Sequence, residues 1–278
     1  MIRLGDYNEL RITRFTDHGA YLDGGEVGEI LMPKTYVARR MRPDDVVKVF
    51  VYLDQQERLV GTTEEPFAKV GDFAYLEVSW VNQFGAFLNW GLMKDLFVPF
   101  SEQKMSMEIG KSYIVYIYVD PETHRIVASA KVERYLSMPR RGDYYRGRHV
   151  DVLIWQKSPI GFKAIIDNAY AGMLYDDQTY GNYHTGDRLD GTVVQLRSDG
   201  RLDVAEGRIG RSRYVNFAQQ LEDELRACGG TLPFGDASDP DDIAERFHVS
   251  KKTFKRALGQ LYRAQKVVLT PNSVTLKS

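Results

Sequence analysis

Cysteine is nearly missing: Cys228 is the only one in 278 residues. One cysteine per chain excludes an internal disulfide framework and any zinc site built on paired cysteines. Long apolar runs are missing too, since nothing approaches the roughly 18 consecutive residues a membrane-spanning helix needs. The opening MIRLGDYNEL has neither the basic start nor the apolar stretch of a secretory leader. The expectation is therefore a cytoplasmic protein without a membrane partner. Net charge is close to absent at −1, which neither argues for nor against a polyanionic partner, so only the distribution of charge is informative. Catalytic signatures are lacking as well: there is no Walker loop, GxSxG, GxGxxG or HExxH. His18, His124, His149, His184 and His248 are scattered without ligand spacing. No enzyme, cofactor, metal or small-molecule substrate is expected.

What is present is an internal repeat. HGAYL at residues 18–22 returns as FGAFL at 84–88 and, more faintly, as IGFKA at 160–164. The shared Gly19, Gly85 and Gly161 follow one another at 66 and 76 residues, each the length of a small domain. Their flanks recur in order. A strand-like run precedes each glycine (ELRITRF, FAYLEVSW, VDVLIW) and a short apolar segment follows (EILMP, LFVPF, AGMLY). A turn, a long strand (DVVKVFVYLD, SYIVYIYVD, DRLDGTVVQL) and a closing strand (RLVGTT, RIVASA, RLDVAE) complete the unit. Alternation of apolar and polar residues with β-branched and aromatic enrichment marks these as strands. Five short strands in about 70 residues with Gly-rich turns point to the OB-fold, a small Greek-key barrel. Glycine suits a strand that bends where a side chain would clash, with Ala20 and Ala86 facing the core.

Tyr21, Phe84 and Phe87 suit either a barrel core or a surface on which bases stack. Their recurrence with Arg58 and Arg125 at similar offsets favours binding; Trp80, Trp90 and Tyr118 read better as core.

Between repeats two and three, KVERYLSMPRRGDYYRGRH (131–149) sets six Lys or Arg against Glu133 and Asp143. Arg140, Arg141, Tyr144 and Tyr145 make it a candidate nucleic-acid arm; a solvated linker is the equal alternative.

Beyond RLDVAEGRIG the period becomes helical. VNFAQQLEDELRACGG ends at glycines, and DPDDIAERF starts with Asp239 as N-cap and Pro240 at the first helical position. Asp239, Asp241 and Asp242 serve capping and the helix dipole rather than a metal. A third helix is capped by Ser250, with Val249 stapled to Phe254. It buries Phe254, Ala257, Leu258 and Leu261 and turns Lys251, Lys252, Lys255, Arg256 and Arg263 outward. With the hairpin KVVLT-PNS-VTLK this predicts a winged helix. The fold class is thus mainly β with a C-terminal α+β domain: barrels over 1–64, 65–134 and 135–210, then a winged helix over 211–278.

Strand, FGAF, apolar segment, VxVxVxxxD and RIxxS together resemble the RNA-binding S-one motif. That resemblance implies that His18, Tyr21, Asp54 and Arg58 in repeat one, and Phe84, Phe87, Asp120 and Arg125 in repeat two, lie on the RNA-binding face. Two departures stand: the family's middle-strand histidine is absent from EILMP and LFVPF, and Pro159 and Ile160 replace the first ring in repeat three. Three such barrels followed by one winged helix resemble the conserved virulence factor B family of bacteria. The resemblance implies RNA binding and regulation of gene expression; the two ring-bearing repeats and the basic link point to single-stranded RNA, as mRNA or structured RNA, as the partner. DNA bound through the winged helix is the alternative.

Overall fold

The computed structural model describes residues 1–140, 142–179, 183–207, 213–247, 249 and 251–277, without the side chains of 213–216 and 252. Ser250, expected as the N-cap of the third helix, lies outside them. Two compact units divide after Ser137.

The first unit, Met1–Ser137, holds two barrels. Strands β1 (Asp6–Thr16), β2 (Gly19–Asp23), β3 (Glu29–Pro33), β4 (Val46–Leu53) and β5 (Leu59–Thr62) close in the order β1-β2-β3-β5-β4. Strands β6 (Phe73–Val81), β7 (Gly85–Leu88), β8 (Leu96–Pro99), β9 (Ser112–Val119) and β10 (Ile126–Ser129) repeat that order. Closure comes from the parallel pairs β3–β5 and β8–β10; the remaining pairs are antiparallel. Alternation put the apolar set inward, and Ile12, Ala20, Leu22, Val78, Ala86 and Leu88 are fully buried.

The repeated glycine has a sharper reason than bending. A Cβ on Gly19 would sit 2.1 Å from the Met32 carbonyl oxygen, and one on Gly85 2.2 Å from that of Val98. The neighbouring strand crosses too closely for any side chain.

Barrel one has its own core around Ile12, Leu22, Ile30 and Val49, and the core of barrel two extends across the seam into it. Phe50, Tyr52 and Val60 of the first join Leu76, Leu88 and Trp90 of the second, with Phe50 and Trp90 edge-to-face at 5.8 Å. Val70 N–H donates to the Gly5 carbonyl at 2.9 Å, and Lys69 pairs with Asp6 at 3.0 Å. Apolar burial, worth about 25 cal/mol per Å², therefore holds the seam together.

The second unit, Met138–Ser278, contains the third barrel: β11 (His149–Ser158), β12 (Gly161–Ile166), β13 (Tyr170–Tyr175), β14 (Arg188–Leu196) and β15 (Leu202–Glu206), again in the order β11-β12-β13-β15-β14. It also contains the winged helix: α1 (Arg213–Ala227), β16 (Thr231–Leu232), α2 (Pro240–Phe247), α3 (Lys251–Arg263), β17 (Val267–Leu269) and β18 (Val274–Leu276). The expected stripe of Phe254, Ala257, Leu258 and Leu261 is buried together with Val249. Asp239 caps α2, its carboxylate accepting from Asp241 N–H at 2.8 Å. A buried Glu222 on α1 accepts from Arg226 and from Lys266, both at 2.7 Å, tying helix to wing.

Candidate nucleic-acid interface

The outer face of each barrel is set by one irregularity. The first and second strands of every repeat slip by one residue at a β-bulge: between Ile12 and Arg14, between Val78 and Trp80, and between Ile154 and Gln156. An extra residue switches which side chains face outward. Arg14 then opposes Tyr21, Trp80 opposes Phe87, and Gln156 opposes Lys163. These three pairs give the barrels three different surfaces.

On barrel two the pair is aromatic. Trp80 stacks on Phe87 at 3.7 Å with the rings 3° from parallel, and its indole N–H donates to Asp95 at 3.0 Å. Phe97, its partner on the next strand, lies against Phe87 at 4.9 Å and tilted by 36°, so Phe87 sits between two rings and Trp80, 43% exposed, is the outer one. Phe84 stands 63% exposed beside it, its backbone N–H held by the Asn82 side chain at 2.8 Å. Trp80 was expected in the core, and the bulge at Ser79 is why it is not. Trp90 does lie in the core, donating to the Lys94 carbonyl. Tyr118 is half-buried against Tyr135, whose ring also stacks on Tyr116 at 4.3 Å.

On barrel one the ring is already covered. The Arg14 guanidinium lies 3.9 Å from the centre of Tyr21, clamped by Glu29 at 2.7 Å. The bonds from Arg14 and Thr13 hold the Glu29 carboxyl below its ordinary range. His18 is exposed next to this pair in sequence, with no ring against it among the described contacts. On barrel three a lysine replaces the ring: Lys163 reaches Gln156 at 3.3 Å. Phe162, adjacent to Gly161, points inward into the barrel core.

The two expected carboxylates build loops. Asp54 accepts from the Gln56 and Arg58 N–H groups and, at 2.6 and 2.8 Å, from the Arg58 guanidinium. Burial pushes its pKa up, but these bonds outweigh that and hold it low. Asp120 accepts from the Thr123 hydroxyl at 2.6 Å and is held low chiefly by that bond. Arg58 is consumed by Asp54 and Gln56, whereas Arg125 crosses the seam to pair with Glu57 of barrel one.

The basic link splits. Arg140 and Tyr145 are exposed, and Arg141 lies outside the described residues. Tyr144, expected as a stacking ring, is a core residue instead: it is 7% exposed, packs against Tyr170, and donates to Asp167 at 2.8 Å. The ring can be buried because its hydroxyl keeps a partner in the half-buried Asp167 carboxylate. Its pKa is raised by burial and by that carboxylate. On α3, Lys255 and Arg256 are exposed, Lys255 paired with Asp236 at 2.9 Å. Arg263 folds back on the Gly259 carbonyl at 3.1 Å, Lys251 is half-buried, and the side chain of Lys252 is outside the described set.

Trp80, Phe84 and Phe87 line one cavity of about 720 Å³, which also takes in Glu57, Lys94 and Arg125. Lys94 donates to the Asp54 carbonyl at 2.8 Å, so its charged end is fixed at the seam. Among the described residues no group of three or more His, Cys, Asp or Glu is placed to hold a metal ion, and no helix is long and apolar enough to cross a membrane.

Comparison with known proteins agrees with this architecture. An S1 domain model matches residues 4–64 and 70–131, the first two barrels, and a CvfB-like winged helix domain model matches 219–276. The chain is 28% identical over 274 residues to YitL of Bacillus subtilis, covering 96% of this chain and 91% of that one. It is 23% identical over 248 residues to conserved virulence factor B of Staphylococcus aureus, covering 85% and 83%. It also resembles the crystal structure of a multidomain protein with nucleic acid binding domains from Streptococcus pneumoniae, at 23% identity and a TM-score of 0.45 over 99% of this chain and 98% of that one. The chain thus carries two S1 domains and a CvfB-like winged helix domain, all of nucleic-acid-binding type, and is similar along most of its length to YitL and to conserved virulence factor B.

Proposed function

We propose that the protein is a non-catalytic, cytoplasmic binder of single-stranded RNA that regulates gene expression after transcription. The observation that carries this reading is the exposed Trp80–Phe87 stack with Phe84 beside it on barrel two. Flat rings presented in pairs match unpaired bases, which stack on them at about 1–3 kcal/mol each whatever their sequence. Duplex nucleic acid keeps its bases inside and has no use for such a platform. Arg140 and the α3 cations add charge for the backbone.

The test is affinity of the full chain for single-stranded RNA, single-stranded DNA and duplex DNA at two salt concentrations, with the double variant W80A/F84A alongside. Single-stranded RNA should bind best, weaken with salt, and lose at least about tenfold in the variant. Unchanged affinity in a folded variant refutes the reading. A second reading, a DNA-binding regulator, draws on exposed Lys255 and Arg256 on α3. It requires that K255E/R256E abolish duplex affinity and that RNA fail to compete.

A further inference from the structure

The cavity behind the barrel-two rings is bounded by groups from two barrels, and their chemistry is narrower than a general stacking surface. It is closed by Glu57 on the β4–β5 loop of barrel one and Arg125 on the β9–β10 loop of barrel two, which form an ion pair across the seam. Because the seam is a continuous core, the two loops are held in register before any ligand arrives. Preorganised polar groups of this kind give discrimination at low entropic cost.

Charge decides the class of occupant. Glu57 and Asp95 oppose Lys94 and Arg125 around the cavity, so its formal charge is zero. A phosphate gains nothing there, whereas a neutral, flat ring with a polar edge meets aromatic walls and polar ends. The edge then decides which ring. The Glu57 carboxylate offers two acceptor oxygens, and the Arg125 guanidinium stands next to it as donor. Among the four RNA bases, guanine alone presents two neighbouring donors, N1–H and the N2 amino group, beside a carbonyl acceptor, O6. Adenine and cytosine carry one amino donor next to an acceptor, and uracil one imino donor between two carbonyls.

We propose that the seam cavity is a guanine-selective subsite, in which an unstacked guanine enters against Trp80 and Phe84, donates to Glu57 and accepts from Arg125. This rests on the reading of the protein as a binder of single-stranded RNA, and adds to it a base preference and two residues that set it. Each bidentate base contact is worth about 1–3 kcal/mol of discrimination, which corresponds to a preference of about tenfold or more.

The experiment uses the full-length chain and four labelled oligouridines of about eight nucleotides, the central position being U, A, C or G, with binding followed by fluorescence anisotropy. The guanine oligomer should bind about tenfold more tightly than each of the others. In E57Q, which loses one acceptor oxygen, and in R125K, which keeps the charge but loses the fork, that ratio should fall to about twofold. Both side chains are half exposed, so thermal melts should show both variants folded. Equal binding of all four oligomers, or an undiminished guanine ratio in E57Q, overturns the inference and leaves RNA binding intact provided that W80A/F84A still weakens all four. Absence of binding to every oligomer overturns both.

Discussion

Removing Trp80 and removing Phe87 should have different consequences, although the two rings form one stack. Phe87 lies between Trp80 at 3.7 Å and Phe97 at 4.9 Å, while Trp80 has an outward face and is 43% exposed. In W80A the base platform disappears, and binding should weaken by about 1–3 kcal/mol, or roughly fivefold to 150-fold in Kd. The folded state loses one aromatic pair, at about 0.5–1.5 kcal/mol, and the hydrogen bond to Asp95, worth about 0.5–1.5 kcal/mol. Its cost in stability is therefore about 1–3 kcal/mol, below that of a fully buried Trp. In F87A the ring between Trp80 and Phe97 is lost, and stability should drop by about 2 kcal/mol, less than for a fully buried Phe because Phe87 is half-buried. Affinity for single-stranded RNA by anisotropy and stability by urea titration separate the two effects. If W80A binds RNA normally while F87A, still folded, does not, then the base displaces the indole and Phe87 is the true platform; the outer-layer argument is then wrong.

Three further outcomes follow from the same geometry. Y144F should destabilise the third barrel by about 1.5 kcal/mol through the lost bond to Asp167, with RNA affinity within twofold of the parent, because the ring is buried rather than offered to bases. G85A should cost at least about 2 kcal/mol in a thermal or urea melt, since the new methyl meets the Val98 carbonyl at 2.2 Å and a backbone atom cannot swing aside. Glu222 has its carboxyl pKa lowered from 4.5, first by the Lys266 hydrogen bond and then by the nearby cations. A depressed folded-state pKa stabilises above the unfolded value and is lost as pH falls through the folded one, so E222Q should be the weaker protein at neutral pH. The gap between E222Q and the parent should then narrow below about pH 4.5 in a pH series of urea midpoints.

Much of the fold is legible in the chain because it rests on local periodicity. Alternating apolar residues, repeated three times around Gly19, Gly85 and Gly161, specify strands whose inward faces can be named in advance. The spacing of Phe254, Ala257, Leu258 and Leu261 does the same for α3. The candidate site was legible in part: Phe84, Phe87 and Arg125, all named from the FGAF resemblance, line one cavity. Trp80 was missed because strict alternation from Val78 places residue 80 inward, and only the bulge at Ser79 turns it out. Its one available signal was its place opposite Phe87 in a hairpin, which needs the register to be known. Tyr144 was misplaced for the converse reason: it sits among basic residues in sequence, but its hydroxyl partner, Asp167, is 23 residues away.

Composition and periodicity thus determined the number of barrels, the winged helix and the candidate rings, since each depends on neighbours within a strand or a turn. Which rings are free was decided by tertiary structure. Cross-strand partners at the bulge put Arg14 over Tyr21, Trp80 over Phe87 and Gln156 beside Lys163. A core that extends across the seam brought Glu57 and Arg125, far apart along the chain, into one ion pair. Long-range register, set by packing rather than by local pattern, is the physical reason that three copies of one motif present three different surfaces.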